Sequence, residues 1–186
     1  MLSKYTFLTI TLLTSSFVLA DISKPTDTYK ELVDKTGAIT FPADFQTQLV
    51  HVGTTVVLSE EKVTPQNING IYTQKEAIDA YNKTGQWPDG TLFVKDVKLT
   101  KGERLTTGAV FHQRGNDVFF VMIKDTEGRF TDNVNWGDGW GWAMFDAEPK
   151  QNVSPNKEFC QGCHAPRQSN DWLYTEQYPS IVKEFF

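Results

Sequence analysis

Pro88-Asp89-Gly90-Thr91-Leu92-Phe93-Val94-Lys95-Asp96-Val97 is the stretch whose reading decides the fold. Pro, Asp and Gly in that order make a turn: proline presets φ, the aspartate bonds nearby backbone, and glycine takes a positive φ without a Cβ clash. The turn launches a strand over residues 92–97, and strand alternation puts Phe93, Lys95 and Val97 on one face. Downstream, Gly108 to His112 and Asp117 to Lys124 read as a strand pair around an Arg114-Gly115-Asn116 hairpin turn. Trp136 to Phe145, with glycine at 137, 139 and 141, reads as an aromatic strand that a neighbour approaches closely. Upstream, Leu49 to Leu58 is rich in Val and Thr, a strand composition. Thr73-Gln74-Lys75-Glu76 reads as a capping box for a short amphipathic helix with Ala77, Ile78 and Tyr81 on one face and Gly85 past its end. A lead-in from Lys24 to Asp34, with a cap at Asp27 or Thr28, is broken off by Phe41-Pro42-Ala43-Asp44-Phe45. Several strands with few helices predict an α+β fold: one domain with an antiparallel sheet core, flanking helices and a C-terminal helix.

The N-terminus reads differently. Lys4 precedes an apolar run, Phe7 to Leu13 and Phe17 to Leu19, which ends in the small residue Ala20 before Asp21. This is the pattern of an export signal over residues 1–20, removed to leave a domain over 21–186. The run is too short and too rich in Ser and Thr for a bilayer span, and no later stretch is long and apolar enough, so the mature chain is expected to be soluble and periplasmic. Formal net charge is −5. That balance argues against nucleic acid, whose phosphates need clustered Lys and Arg, and suits a basic redox protein as partner.

Both cysteines of the chain fall in Cys160-Gln161-Gly162-Cys163-His164. C-x-x-C-H is the attachment signature of haem c. Two thiols three positions apart on a helical turn can each add to a haem vinyl group, and the adjacent imidazole then comes under the iron as proximal ligand. The expectation is one covalently attached haem per chain, through Cys160 and Cys163 with His164 on iron. A zinc site would have to recruit His51 or His112, which lack the paired spacing of zinc ligands. A thioredoxin-type C-x-x-C would follow a strand and open a long helix, whereas this one lies near the C-terminus.

An electron-carrying cytochrome usually takes a methionine as its second iron ligand. No Met or His follows His164, and Met122 and Met144 lie in strands upstream, where core packing is the commoner role. The second iron position is therefore expected to be open, which favours binding of a small molecule over electron relay. A His/Met electron carrier using Met122 or Met144 is the further alternative.

Lys83-Thr-Gly-Gln-Trp-Pro-Asp-Gly-Thr-Leu-Phe-Val-Lys95, Trp140-Gly-Trp-Ala-Met-Phe-Asp146, the C-x-x-C-H run, and Asp171-Trp172 with Tyr178-Pro179 together resemble the cytochrome P460 family. The resemblance runs from about residue 40 to the C-terminus. It implies a sheet-rich, usually homodimeric protein with a five-coordinate haem c, on one of two branches. In P460 enzymes a lysine is bonded to the haem ring and hydroxylamine is oxidised; Lys95 falls where that lysine falls. In the cytochromes c′-beta that bond is missing, and a pocket walled by Phe residues binds nitric oxide or carbon monoxide. The P460 enzymes carry an arginine where this chain has Asn69, and an acid in the strand where Phe119 and Phe120 stand. Oxidising hydroxylamine requires a nearby proton acceptor, which phenylalanine cannot be. The reading is therefore a nitric oxide binder of the c′-beta kind, with Phe120, Phe93 and Lys95 as pocket residues and a Lys95-linked hydroxylamine oxidoreductase as the alternative. Of the adjacent pair, Phe120 is assigned to the pocket and Phe119 to the core, because neighbouring strand residues face opposite ways.

Overall fold

The structure is a computed structural model, and it describes residues 20–61, 64–148 and 150–181. Apart from Ala20, the export signal expected over residues 1–20 lies outside them.

A six-stranded antiparallel sheet organises the chain in the order β1-β2-β3-β4-β6-β5. Its strands are β1 (Val50–Leu58), β2 (Pro65–Thr73), β3 (Leu92–Leu105), β4 (Gly108–Lys124), β5 (Trp136–Gly137) and β6 (Trp140–Asp146). The helices are α1 (Pro25–Leu32), α2 (Phe45–Gln48), α3 (Lys75–Thr84) and α4 (Lys157–His164), followed by short 3₁₀ turns at Ala165–Asn170 and Thr175–Gln177. The α+β class expected from sequence is the one observed. Among the described residues no helix is long and apolar enough to cross a membrane.

Alternation along the strands gives the sheet two apolar faces, and each is covered. One face buries Leu92, Val94, Phe119, Val121, Ile123, Ala143 and Phe145 against Ile22, Leu32, Ile39 and Phe45 from the N-terminal segments. The other buries Ile71, Phe93, Met122 and Trp142 against α3, Trp87, α4 and the C-terminal turns. On this second face the register lines up Ile71, Lys95, Phe120 and Met144 in one row across β2, β3, β4 and β6.

Four local readings are corrected. The hairpin turn is not at 114–116: β3 and β4 pair from Leu92↔Ile123 to Leu105↔Gly108, so the turn is Thr106-Thr107. Gly115 lies between two register shifts instead, at Val97/Lys98 and at Leu99/Thr100; bulges and turns draw on the same glycine chemistry, and pairing partners decide between them. Trp136 to Phe145 is not one strand but β5 and β6 folded about Asp138 (φ 54°) and Gly139 (φ 82°), positive at both positions as a two-residue hairpin requires. Gly141 is the close approach there, since a Cβ would lie 2.6 Å from the Trp136 ring. The Thr73–Glu76 capping box does not form either. Gln74 is the N-cap and makes no side-chain cap. Thr73 donates its hydroxyl to the Leu92 carbonyl (2.7 Å), while Gln74 accepts from the Leu92 N–H and donates to the Thr28 hydroxyl, both at 2.8 Å. Burial makes these tertiary bonds outrank the local cap. Finally, α1 begins at Pro25 after Lys24, so neither Asp27 nor Thr28 caps it. The strand β2 was not foreseen: Pro65-Gln-Asn-Ile-Asn-Gly has little strand propensity, and pairing to β1 and β3 on either side supplies what propensity lacks.

Candidate functional site

The site is built on the second sheet face, where α4 lies against β6. Asn156 starts α4 by accepting the Phe159 N–H on its side-chain oxygen (3.0 Å), the ordinary N-cap economy. Helical spacing then sends Cys160 and Cys163 to adjoining positions one turn apart. Cys160 is buried and Cys163 exposed, and they are not joined to each other. Burial, with Cys163 adding to it, pushes the Cys160 thiol up to about 11. A redox-active C-x-x-C would need its first thiol shifted down.

His164 ends the helix with its ring held from two sides. Its Nδ1 donates to the Trp172 carbonyl at 2.6 Å, since a carbonyl can only accept. That bond fixes the tautomer and leaves Nε2 with a free lone pair, the state in which imidazole binds a metal. The rings of Trp142 (5.3 Å) and Tyr174 (5.8 Å) stand edge-on to the imidazole, and the Tyr174 hydroxyl donates to the Cys163 carbonyl (2.7 Å). Burial lowers the His164 pKa despite the opposing Trp172 bond, favouring the neutral ring.

A pocket of about 140 Å³ brings these residues together with the sheet. Cys160, Cys163 and His164 line it on one side, and Ile71, Phe93, Lys95, Phe120, Met122 and Trp142 on the other. Phe159, Leu173 and Tyr178 complete its rim. Cys160, Cys163, His164, Phe120, Phe93 and Lys95, which the sequence nominated for attachment, proximal ligation and pocket wall, thus line one cavity. Phe119 is not: it is 2 % exposed on the opposite face, packed on Phe41 and Phe45. Lys95 has its Nζ 5.3 Å from the Phe120 ring centroid, and burial moves its pKa below the ordinary lysine value. Met122 is in the wall, whereas Met144, on the same sheet face, is not among the lining residues. His51 bonds Thr54 (2.9 Å) and His112 pairs with Glu103 (2.8 Å), both exposed and away from the motif. Among the described residues no three His, Cys, Asp or Glu gather as a metal cluster.

Sequence reasoning assigned no role to Trp142, to the Trp172 carbonyl or to Asp171. Trp-Gly-Trp at 140–142 and Asp-Trp at 171–172 stood out as motifs, yet only the fold shows that one closes the pocket wall and the other anchors His164.

An apolar pocket with two thiols and an oriented imidazole in its lining suits a haem. The chain belongs to the cytochrome P460 family, whose sequence model matches residues 42–175. It is accordingly a haem protein. A search of curated proteins returns no match. The residues present fit the group: two thiols and an oriented imidazole line one apolar pocket, and the buried indole N–H of Trp142 in that lining has no acceptor among the described residues. A buried indole N–H normally finds one, and a bound group carrying an acceptor would supply it.

Proposed function

We propose that this chain is an exported haem c protein that takes up nitric oxide, or a similar small uncharged ligand, at its haem iron. Cys160 and Cys163 hold the haem by thioether bonds, one haem per chain, and His164 Nε2 supplies the proximal ligand. When bound, the haem supplies an iron with one open coordination position for a diatomic ligand. Phe120 and Phe93 keep water from that position and limit the room for what enters it. Trp172 holds the proximal imidazole in its metal-binding tautomer from behind.

The observation that carries this reading is the lining itself, which includes neither a carboxylate nor a guanidinium among the described residues. Oxidising hydroxylamine moves protons and calls for a base within hydrogen-bond reach of the substrate. Binding a neutral diatomic does not.

One observation favours a second reading. Lys95 lies in the pocket with burial lowering its pKa, and no carboxylate among the described residues acts to hold its charge. A desolvated amine gives up its proton more readily and becomes a nucleophile, which suits a lysine–haem bond and a hydroxylamine oxidoreductase.

Visible spectra of the purified holoprotein, oxidised and dithionite-reduced, with and without nitric oxide, separate the two. The binder shows an ordinary high-spin ferrous haem c spectrum that changes on adding nitric oxide. A strongly red-shifted reduced band, with a tryptic peptide joining Lys95 to the haem peptide, overturns it in favour of the oxidoreductase. A six-coordinate low-spin spectrum in the absence of added ligand would instead show a second protein ligand on the iron and favour the electron carrier, with Met122 in the pocket wall as the methionine to test.

A further inference from the structure

The carbonyl that accepts the His164 Nδ1–H belongs to an unusual piece of backbone. Asp171 (φ 53°) and Trp172 (φ 64°) are consecutive residues in the left-handed region, and neither is glycine. Such conformations persist only where the surroundings hold them. Here the Asp171 side chain is held by two donors on one oxygen: Lys124 Nζ at 2.8 Å and Trp140 Nε1 at 3.1 Å, both to Oδ1. Lys124 and Trp140 are themselves register partners at the end of β4 and β6, and the Lys124 ammonium sits 4.8 Å from the centre of the Trp140 ring system.

That end of the sheet is rigid. The Lys124 carbonyl accepts from the Tyr29 hydroxyl (2.7 Å) and the Gly90 N–H (2.9 Å), and the Lys124 N–H donates to the Thr91 carbonyl (2.8 Å). Trp140 is fully buried. The anchor is thus fixed by β4, β6, α1 and the turn at 88–91, while the loop it holds carries the carbonyl behind the imidazole.

We infer that Lys124, Asp171 and Trp140 form a positioning clamp that sets the strength of the His164 Nδ1–H···O bond, and through it the basicity of His164 toward haem iron. The inference rests on His164 being the proximal ligand. A shorter, better-aligned bond at Nδ1 puts more electron density on Nε2 and strengthens its bond to iron. The clamp keeps that bond at 2.6 Å by holding Asp171 and Trp172 in a turn that they would otherwise leave. None of the three clamp residues lines the pocket, so they act through Trp172 rather than on a bound ligand.

The test is the iron–imidazole stretching band of the ferrous holoprotein in resonance Raman spectra. Asp171→Gly tolerates the left-handed turn but removes the anchor. Asp171→Asn retains the oxygen that both donors use and also tolerates positive φ. Lys124→Met removes one donor and leaves Trp140. The band should move to lower frequency in Asp171→Gly, move the same way by less in Lys124→Met, and stay near the wild-type position in Asp171→Asn. An unmoved band in Asp171→Gly, or one displaced as far in Asp171→Asn, overturns the clamp. Should Asp171→Gly fail to fold, an unmoved band in Lys124→Met overturns it equally. A wild-type protein whose ferrous haem is five-coordinate and high-spin yet lacks any iron–imidazole band overturns the assignment of His164 itself, a result distinct from a clamp that fails while the band is present.

Discussion

Substituting alanine at Phe119 and at Phe120, one at a time, should give two opposite phenotypes from adjacent residues. The Phe119 ring is 2 % exposed and lies 4.8 Å from the Phe41 ring and 6.0 Å from the Phe45 ring, centre to centre. Removing a phenyl group from such a site leaves a cavity as well as losing transfer energy, and costs about 3–5 kcal/mol. With a urea m value of about 2 kcal/mol/M, the unfolding midpoint falls by about 2 M. Phe120 is only partly buried, faces the pocket and pairs with Lys95 and Met144. Its truncation enlarges a cavity that is already open, so the cost is about 1 kcal/mol and the midpoint shift about 0.5 M. Function should invert this order. Phe120→Ala alters nitric oxide association measured by stopped flow on the ferrous holoprotein, whereas Phe119→Ala leaves it at the wild-type rate. A Phe120→Ala protein with unchanged nitric oxide kinetics, or one as destabilised as Phe119→Ala, refutes the assignment of sheet faces to functions.

Replacing Cys160 or Cys163 by Ala should leave a haem held by one thioether, and replacing both should leave none. Haem-stained denaturing gels read this directly, and haem retained on the double variant would exclude the attachment. Gly90→Ala should be severely destabilising, because its φ is +75° and a Cβ would lie 2.1 Å from the Pro25 carbonyl oxygen. Strain and overlap together are worth about 3 kcal/mol, readable as a lowered urea midpoint. Asp89 offers a pH test. Burial alone would raise its pKa, but the bonds from the Arg129 guanidinium and from Thr126 outweigh that and hold it below the ordinary 3.8. A depressed folded-state pKa stabilises above the unfolded value, and the contribution is lost as pH falls through the folded one. The stability gap between wild type and Asp89→Asn should therefore be full above pH 3.8 and close below it. A gap that widens in acid would show the sign to be wrong.

The parts of the fold visible in the sequence were those in which local pattern and tertiary need agree. Residues 92–94 form an unbroken apolar run because both sheet faces are covered, and α3 shows its apolar stripe because Ala77 and Ile78 are buried. Where one residue type serves two geometries, pattern alone chose wrongly. Gly115 has a turn's composition and a bulge's position. Thr73 has a cap's chemistry, yet its hydroxyl is committed to Leu92 across the sheet. Residues 65–70 showed nothing, because the force that makes them a strand is pairing to two neighbours rather than their own propensity.

The sequence by itself pointed to the family, and it set Cys160, Cys163 and His164 close together in the chain, as residues must be that are to meet one haem. It also determined that Phe119 and Phe120 part company, since a strand cannot turn both to one side. Only the tertiary structure decided which of them reaches the pocket, that Lys95 enters it too, and that the Trp172 carbonyl waits behind the imidazole. Those outcomes depend on which sheet face α4 covers and on a left-handed turn held by Lys124 and Trp140. Both are contacts between residues far apart in the chain, which spacing and periodicity do not encode.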